Sequence, residues 1–125
     1  MFHLICGVLL LKEAVAVASE PSWTGVQWIG GYNQLRADFN VPSTASTNAT
    51  LLVTSLGIFE PYLNGQRVGN SILDPGFSTV YSHRVLYRKY AVTLKVGQTN
   101  VLGLRIGTGK YGSFINPVFS DVNNE

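Results

Sequence analysis

The chain has few of the residues that build reactive or cross-linked sites. Its 125 residues include one cysteine, Cys6, and two histidines, His3 and His83. A single cysteine cannot form an internal disulfide, and a lone histidine in a loop is not a metal site. We therefore expect no metal ion and no cofactor in the folded protein.

Charge is also scarce, and long apolar runs are absent. Charged residues make up 13% of the chain, the formal net charge is +2, and the basic residues form no dense run. Proteins that bind nucleic acid normally carry a clustered basic patch, so we expect no nucleic-acid partner. The longest apolar run, Leu4 to Leu11, is much shorter than the roughly 20 residues of a membrane span. We expect no membrane span.

The N-terminal segment has the features of an export signal. The apolar run is followed by Ala16-Val17-Ala18, a small-x-small pattern typical of signal-peptidase sites. We predict that residues 1–18 are a signal peptide and that the protein is secreted; the alternative is an ordinary N-terminal helix. The tripeptide Asn48-Ala49-Thr50 agrees with export, because Asn48 could accept an N-glycan.

After Pro21 the apolar residues show no helical periodicity, and short strands dominate. Glycine and proline between short strands indicate turns, and no helix is predicted that could connect parallel strands. Both features are typical of an antiparallel sheet. We predict an all-β fold, an antiparallel and jelly-roll-like β-sandwich over residues 23–115, with a C-terminal tail at 116–125. The expected strands are Leu35–Val41, Ala49–Leu56, Ile58–Leu63, Arg84–Thr93 and Asn100–Ile106.

Two short motifs predict turns with structural roles. Asn64-Gly65 favours positive φ at both central positions of a two-residue hairpin. Asp74-Pro75-Gly76 predicts a second turn, in which the Asp74 side chain caps the backbone.

The acidic residues do not form a recognisable catalytic pair. A glycoside hydrolase uses two carboxyl groups on either side of the scissile bond. The internal candidates are interpreted as turn or surface residues: Asp38, Glu60, Asp74 and Asp121. We predict no catalytic residue in this chain.

A series of motifs in one order is more specific than any single motif. Trp28-Ile29-Gly30 and Leu35-Arg36 precede three longer stretches, ATLLVTSLGIFEPYLNGQRVG, LDPGFSTVYSHRVLYRKYAVT and NVLGLRIGTGKYG. From about Trp23 to Gly112 this order resembles the N-terminal β-sandwich domain of the bacterial and fungal α-L-rhamnosidase family. The chain departs from the family at Phe77 and Lys110, where tryptophan is frequent.

The resemblance implies a role without catalysis. Family members remove terminal L-rhamnose, and their acid and base lie in a helical barrel far downstream of this domain. The chain is therefore expected to be a fragment or truncated accessory domain. Its partners would be a rhamnose-containing glycan, recognised through exposed rings at Phe77, Tyr81 and Tyr111, and the catalytic domain of the parent protein. The alternatives are a purely structural domain that packs against the barrel and an independent glycosidase.

Overall fold

The computed structural model describes residues 3–5, 8–13, 23, 26, 28–29, 33–78, 80, 82–109 and 111, with backbone alone for the first two stretches. Eight strands are assigned in this part of the chain. They are β1 His3–Ile5, β2 Val8–Glu13, β3 Gln34–Val41, β4 Asn48–Thr54, β5 Ile58–Leu63, β6 Gln66–Arg67, β7 Tyr87–Thr93 and β8 Gln98–Gly107.

The strands form two antiparallel sheets of four strands each. One sheet has the order β1-β2-β4-β7, and the other has the order β3-β8-β5-β6. β3 and β8 pair over the full length of β3, from Gln34 opposite Arg105 to Val41 opposite Gln98. This arrangement confirms the predicted all-β antiparallel fold.

The core lies between the two sheets and follows from alternation along the strands. Side chains of a strand point to opposite faces in turn, so every second residue can be buried. Ala49, Leu51 and Val53 of β4 supply one side of the core, and Leu102 and Leu104 of β8 supply the other. Burial of these apolar side chains from both sheets is the main force that holds the sandwich together.

The strand boundaries differ from the predictions where side chains compete for backbone groups. β7 begins at Tyr87 and not at Arg84. The Ser78 hydroxyl donates to the Arg84 carbonyl at 2.9 Å, and the Thr54 hydroxyl donates to the Leu86 carbonyl at 2.6 Å. Because these carbonyls are bonded to side chains, the segment before Tyr87 lies outside the ladder.

The Asn64-Gly65 pair forms the turn between β5 and β6. Leu63 pairs with Gln66, and the two turn residues have φ values of 51° and 81°. A Cβ placed on Gly65 would meet no atom within 4 Å, so the glycine is required by backbone conformation and not by space.

The N-terminal strands lie within the segment that we predict to be a signal peptide. β2 pairs with β4 from Val8 opposite Thr54 to Glu13 opposite Ala49, and β1 pairs with β2. Export and cleavage of residues 1–18 stay a prediction. The predicted tail, 116–125, lies outside the described residues.

Candidate functional site

Three strand ends meet at one end of the sandwich. β4 ends at Thr54, which pairs with Tyr87 at the start of β7, and β5 begins close by at Ile58. Asp74 makes an isolated bridge with Phe59 of β5, which brings the turn around Asp74 to the same end. We call this region, formed by Thr54, Ile58, Tyr87 and residues 71–78, 80 and 82–86, the loop end.

A buried carboxylate fastens the loop end to both sheets. Asp74 is 2% exposed, and its oxygens accept hydrogen bonds from Arg88 Nε at 2.7 Å and from the Tyr90 hydroxyl at 2.5 Å. Its backbone carbonyl accepts from Phe59 N–H at 2.7 Å. The sequence pattern predicted that this carboxylate caps the backbone of its own turn. In the structure it instead bonds to side chains of β7. Its partners on β7 supply the hydrogen bonds that a buried charge needs, so Asp74, Arg88 and Tyr90 form what we call the Asp74 cluster.

The cluster changes the ionisation of its tyrosine. Burial of the Tyr90 ring raises the pKa of its hydroxyl, and the hydrogen bond to the Asp74 carboxylate raises it further. The physical reason is that a phenolate beside a carboxylate in a partly buried site would be both poorly solvated and repelled.

Apolar side chains project from the turn that precedes Pro75. Gly76 N–H donates to the Leu73 carbonyl at 3.0 Å, and Leu73 has a φ of 62°. Ile72 and Leu73 are both exposed, Leu73 by 61%. A leucine in the left-handed region is strained, and it persists only where the surrounding structure holds it. The Asp74 cluster, one residue further along, provides that restraint.

The three rings predicted to contact sugar have different outcomes. Phe77 is 46% exposed on the loop end, next to the buried Ser78 that donates to Arg84. Tyr111 is half-buried and follows β8, which ends at Gly107 opposite Ile58. Tyr81 lies outside the described residues. Their role in binding sugar stays a prediction.

The structure describes three of the four acidic residues considered in the sequence analysis. Each of these three has an arginine beside it. Asp38 pairs with Arg36 at 2.8 Å on an exposed strand face, where this partner lowers the pKa of Asp38. Glu60 lies 3.5 Å from one guanidinium and 3.7 Å from another, those of Arg67 and Arg105. Asp74 is the buried carboxylate described above. All three carboxyl groups are therefore engaged in ion pairs with arginines.

A second feature of the loop end is a cleft lined by rings. Its walls are Trp23, Val26, Trp28, Thr54, Val85 and Tyr87, and its volume is about 240 Å³. The Trp23 and Tyr87 rings meet edge to face, with centroids 5.4 Å apart and an interplanar angle of 72°. Trp28 is 53% exposed. We call this feature the aromatic cleft.

Sequence comparison places the chain among known proteins. The family described as "Alpha-L-rhamnosidase N-terminal domain" matches residues 44–119, which is more than half of the chain. The chain belongs to this N-terminal domain family of the α-L-rhamnosidases.

Longer relatives of the α-L-rhamnosidase family carry the same region. An α-L-rhamnosidase of Streptomyces avermitilis is 42% identical over 80 residues, 63% of this chain. One of Formosa agariphila is 37% identical over 70 residues, 55% of this chain. The chain covers 8% and 7% of the lengths of these two proteins.

A solved structure of the α-L-rhamnosidase family shares the fold. The crystal structure of the native Aspergillus terreus enzyme matches 62% of this chain and 9% of its own, with 35% identity and a TM-score of 0.55. The match supports the sandwich architecture for this member of the family.

Sequence reasoning did not single out the rings of the aromatic cleft. Trp23, Trp28 and Tyr87 belong to a larger set of aromatic residues in the sequence, for which packing in the core or at its rim is the ordinary expectation. The signal that could have found two of them is that they are the only tryptophans of the chain, and both precede the first strand of the predicted sandwich.

Within the described part of this α-L-rhamnosidase N-terminal domain, no three His, Cys, Asp or Glu side chains come together in a way that could hold a metal ion. Among the same residues, no helix is long and apolar enough to cross a membrane.

Proposed function

We propose that this chain is a non-catalytic accessory domain of a secreted α-L-rhamnosidase-like glycoside hydrolase and that it contributes to recognition of L-rhamnosides. The parent protein would supply the catalytic domain as a partner in the same polypeptide. The substrate class is taken from the names of the relatives, which are α-L-rhamnosidases.

One observation carries the proposal. The family match covers the loop end, where the hydrogen bonds of the Asp74 cluster hold the turn that precedes the exposed ring of Phe77. A fixed aromatic ring at the surface suits the apolar face of a sugar, because binding then costs little ordering of the protein. The arginine partners of Asp38, Glu60 and Asp74 support the absence of catalysis.

Two measurements on the purified chain test the proposal. We expect no hydrolysis of an aryl α-L-rhamnoside, and a titration with methyl α-L-rhamnoside should shift NMR signals of the loop end. A few rings and hydrogen bonds, offset by the cost of association, support roughly millimolar affinity. Turnover that disappears on Glu60→Gln or Asp74→Asn would contradict the non-catalytic role.

A second candidate function is structural, and a different observation favours it. Ile72 and Leu73 are exposed and line a cavity of about 240 Å³ together with Glu60 and Arg105. Apolar side chains held out from a rigid turn are typical of anchors in domain interfaces. This candidate predicts no NMR response to sugar at high concentration. It also predicts that Leu73→Ser leaves the isolated chain as stable as before.

Secretion is part of the proposal and depends on residues 1–18. Asn48 is exposed at the first position of β4, so a glycan there would not require burial. N-terminal sequencing of exported protein should begin near Ser19. Recovery of Met1 in secreted protein would show that β1 and β2 are retained in the mature chain.

A further inference from the structure

We propose that the aromatic cleft is a binding site for one terminal 6-deoxyhexosyl ring, with an α-L-rhamnosyl group as its occupant. The inference rests on the L-rhamnoside recognition proposed above, and it gives that recognition a location distinct from Phe77. Nothing in the family match itself reaches the two tryptophans, because the matched residues begin at 44.

The cleft lies on the outer face of the sheet that contains β4 and β7. Ala49, Leu51 and Val53 of β4 face the core, so Thr54 points to the opposite face, as does its partner across the ladder, Tyr87. Trp23 contacts the Tyr87 ring from a segment that precedes β3. The cleft is therefore formed by Trp23, Val26 and Trp28 against a sheet face, and the strand pairing of β4 with β7 fixes its floor.

The size of the cleft limits what it can hold. Its volume of about 240 Å³ lies below the roughly 300–1,000 Å³ of pockets for drug-sized ligands. A single pyranose ring fits such a space, whereas an oligosaccharide would have to extend out of it. Trp28 lines the cleft and is half-exposed, so its ring is accessible to a sugar that enters from solvent.

The chemistry of the walls favours a deoxy sugar. A pyranose has an apolar face of C–H groups and a rim of hydroxyls, and aromatic rings pack against the former. A 6-deoxyhexose also has a methyl group where hexoses carry a hydroxymethyl group. Val26 and Val85 supply apolar walls for that methyl, whereas a hydroxyl against them would lose its water without a new partner.

The polar groups near the cleft match the hydroxyl rim. The Thr54 hydroxyl already donates to the Leu86 carbonyl at 2.6 Å, so it offers a sugar only acceptor lone pairs. The Lys89 ammonium does not line the cleft, but it lies 5.6 Å from the centre of the Tyr87 ring and is a donor beside it. The cleft thus combines apolar walls with an acceptor, and a charged donor lies beside it.

Tryptophan fluorescence tests the site directly, because both tryptophans of the chain line the cleft. The full chain is titrated with L-rhamnose and, in parallel, with L-mannose, which differs only by the 6-hydroxyl group. We expect a saturable change in tryptophan emission with L-rhamnose and binding about tenfold weaker for L-mannose. Equal affinity for the two sugars would overturn the assignment to a 6-deoxy sugar.

Matched variants separate this inference from the proposed function. Trp28→Ala is expected to weaken L-rhamnose binding about tenfold or more, with Phe77→Ala retaining the fluorescence response. If Trp28→Ala does not fold, 5-fluorotryptophan in the unsubstituted chain provides the readout, and L-rhamnose should shift its fluorine NMR signals. Binding seen by NMR that depends on Phe77 and leaves the tryptophans unchanged would overturn the cleft as the site and leave the proposed function standing. No binding of L-rhamnose by any readout would overturn the proposed function itself.

Discussion

The two ends of the sandwich are held by polar clusters of opposite kinds. At the loop end the Asp74 cluster uses a buried carboxylate with a guanidinium and a phenol. At the other end of β5 two side-chain amides, those of Asn64 and Asn100, hold the strands. Asn100 is fully buried and accepts hydrogen bonds from Asn64 Nδ2 and from Lys95 N–H, both at 2.9 Å. It also donates to the Lys95 carbonyl at 2.8 Å. We call Asn64, Asn100 and the Lys95 backbone the Asn100 cluster.

The two clusters differ in charge, so the stability of one end of the fold should be independent of pH and salt while that of the other end should respond to them. The Asn100 cluster carries no charge, so neither pH nor salt changes its hydrogen bonds. The Asp74 cluster contains an ion pair, and its cation, Arg88, is half-exposed to solvent. Both candidate binding features, Phe77 and the aromatic cleft, lie at the charged end. Four predictions test the contrast, in order of expected effect.

Removal of the cation should have the largest effect. Arg88→Ala leaves the Asp74 carboxylate buried with the Tyr90 hydroxyl, and we expect the free energy of unfolding to fall by about 3 kcal/mol. Urea denaturation measures this, with the exposed Arg84→Ala as the control, expected within about 0.5 kcal/mol of the parent. If the Arg88→Ala protein were as stable as the control, the Arg88–Asp74 ion pair would contribute little to the free energy of unfolding.

Disruption of the amide cluster should cost somewhat less. Asn100→Ala leaves the Lys95 N–H and carbonyl without their side-chain partners, and we expect a loss of about 2 kcal/mol. The loss should be the same at pH 5 and pH 8, because no group of this cluster titrates between them. Asn40→Ala, at an exposed asparagine that accepts from the Thr99 hydroxyl, is the matched control. A loss that varied with pH would contradict the neutral character of this end.

Loss of the phenol alone should have a smaller effect. Tyr90→Phe removes one hydrogen bond to Asp74 and keeps the ring and the Arg88 pair, so we expect a loss of about 1 kcal/mol. Combined with Arg88→Ala, the two losses should not add, since both variants act on one carboxylate. Strict additivity in a double-mutant cycle would mean that the two side chains act independently.

The smallest expected effect is a sensitivity to alkali that belongs to the charged end. Because the pKa of Tyr90 is raised in the folded protein, the unfolded chain loses this proton first, at about pH 10. The contribution is complete below about pH 10 and declines as pH rises toward the higher pKa of the folded state. Thermal unfolding measured from pH 8 to pH 11 should show a shallower decline for Tyr90→Phe than for the parent. Parallel curves would exclude Tyr90 as a source of alkaline sensitivity.

Local patterns predicted the strands well, and the site less well. Alternation along β8 and the Asn64-Gly65 turn are set by neighbouring residues, so both can be deduced from short windows. The start of β7 could not be deduced in this way, because the Leu86 carbonyl is bonded to the Thr54 hydroxyl, 32 residues away. The local pattern also predicted that Asp74 caps its own turn. That prediction was wrong because the partners of its side chain, Arg88 and Tyr90, are distant in the sequence.

The sequence by itself determined the all-β class, the hairpin tip, and the family, since these depend on residue order and backbone preference. Only the tertiary structure decided which side chains meet. Arg88 and Tyr90 reach Asp74 from 14 and 16 residues away, Asn64 reaches Asn100 across 36, and Trp23 contacts Tyr87 from a segment before the first strand of the matched domain. Such contacts form when two sheets pack and strands from distant parts of the chain become neighbours, and no preference of a single residue encodes that proximity.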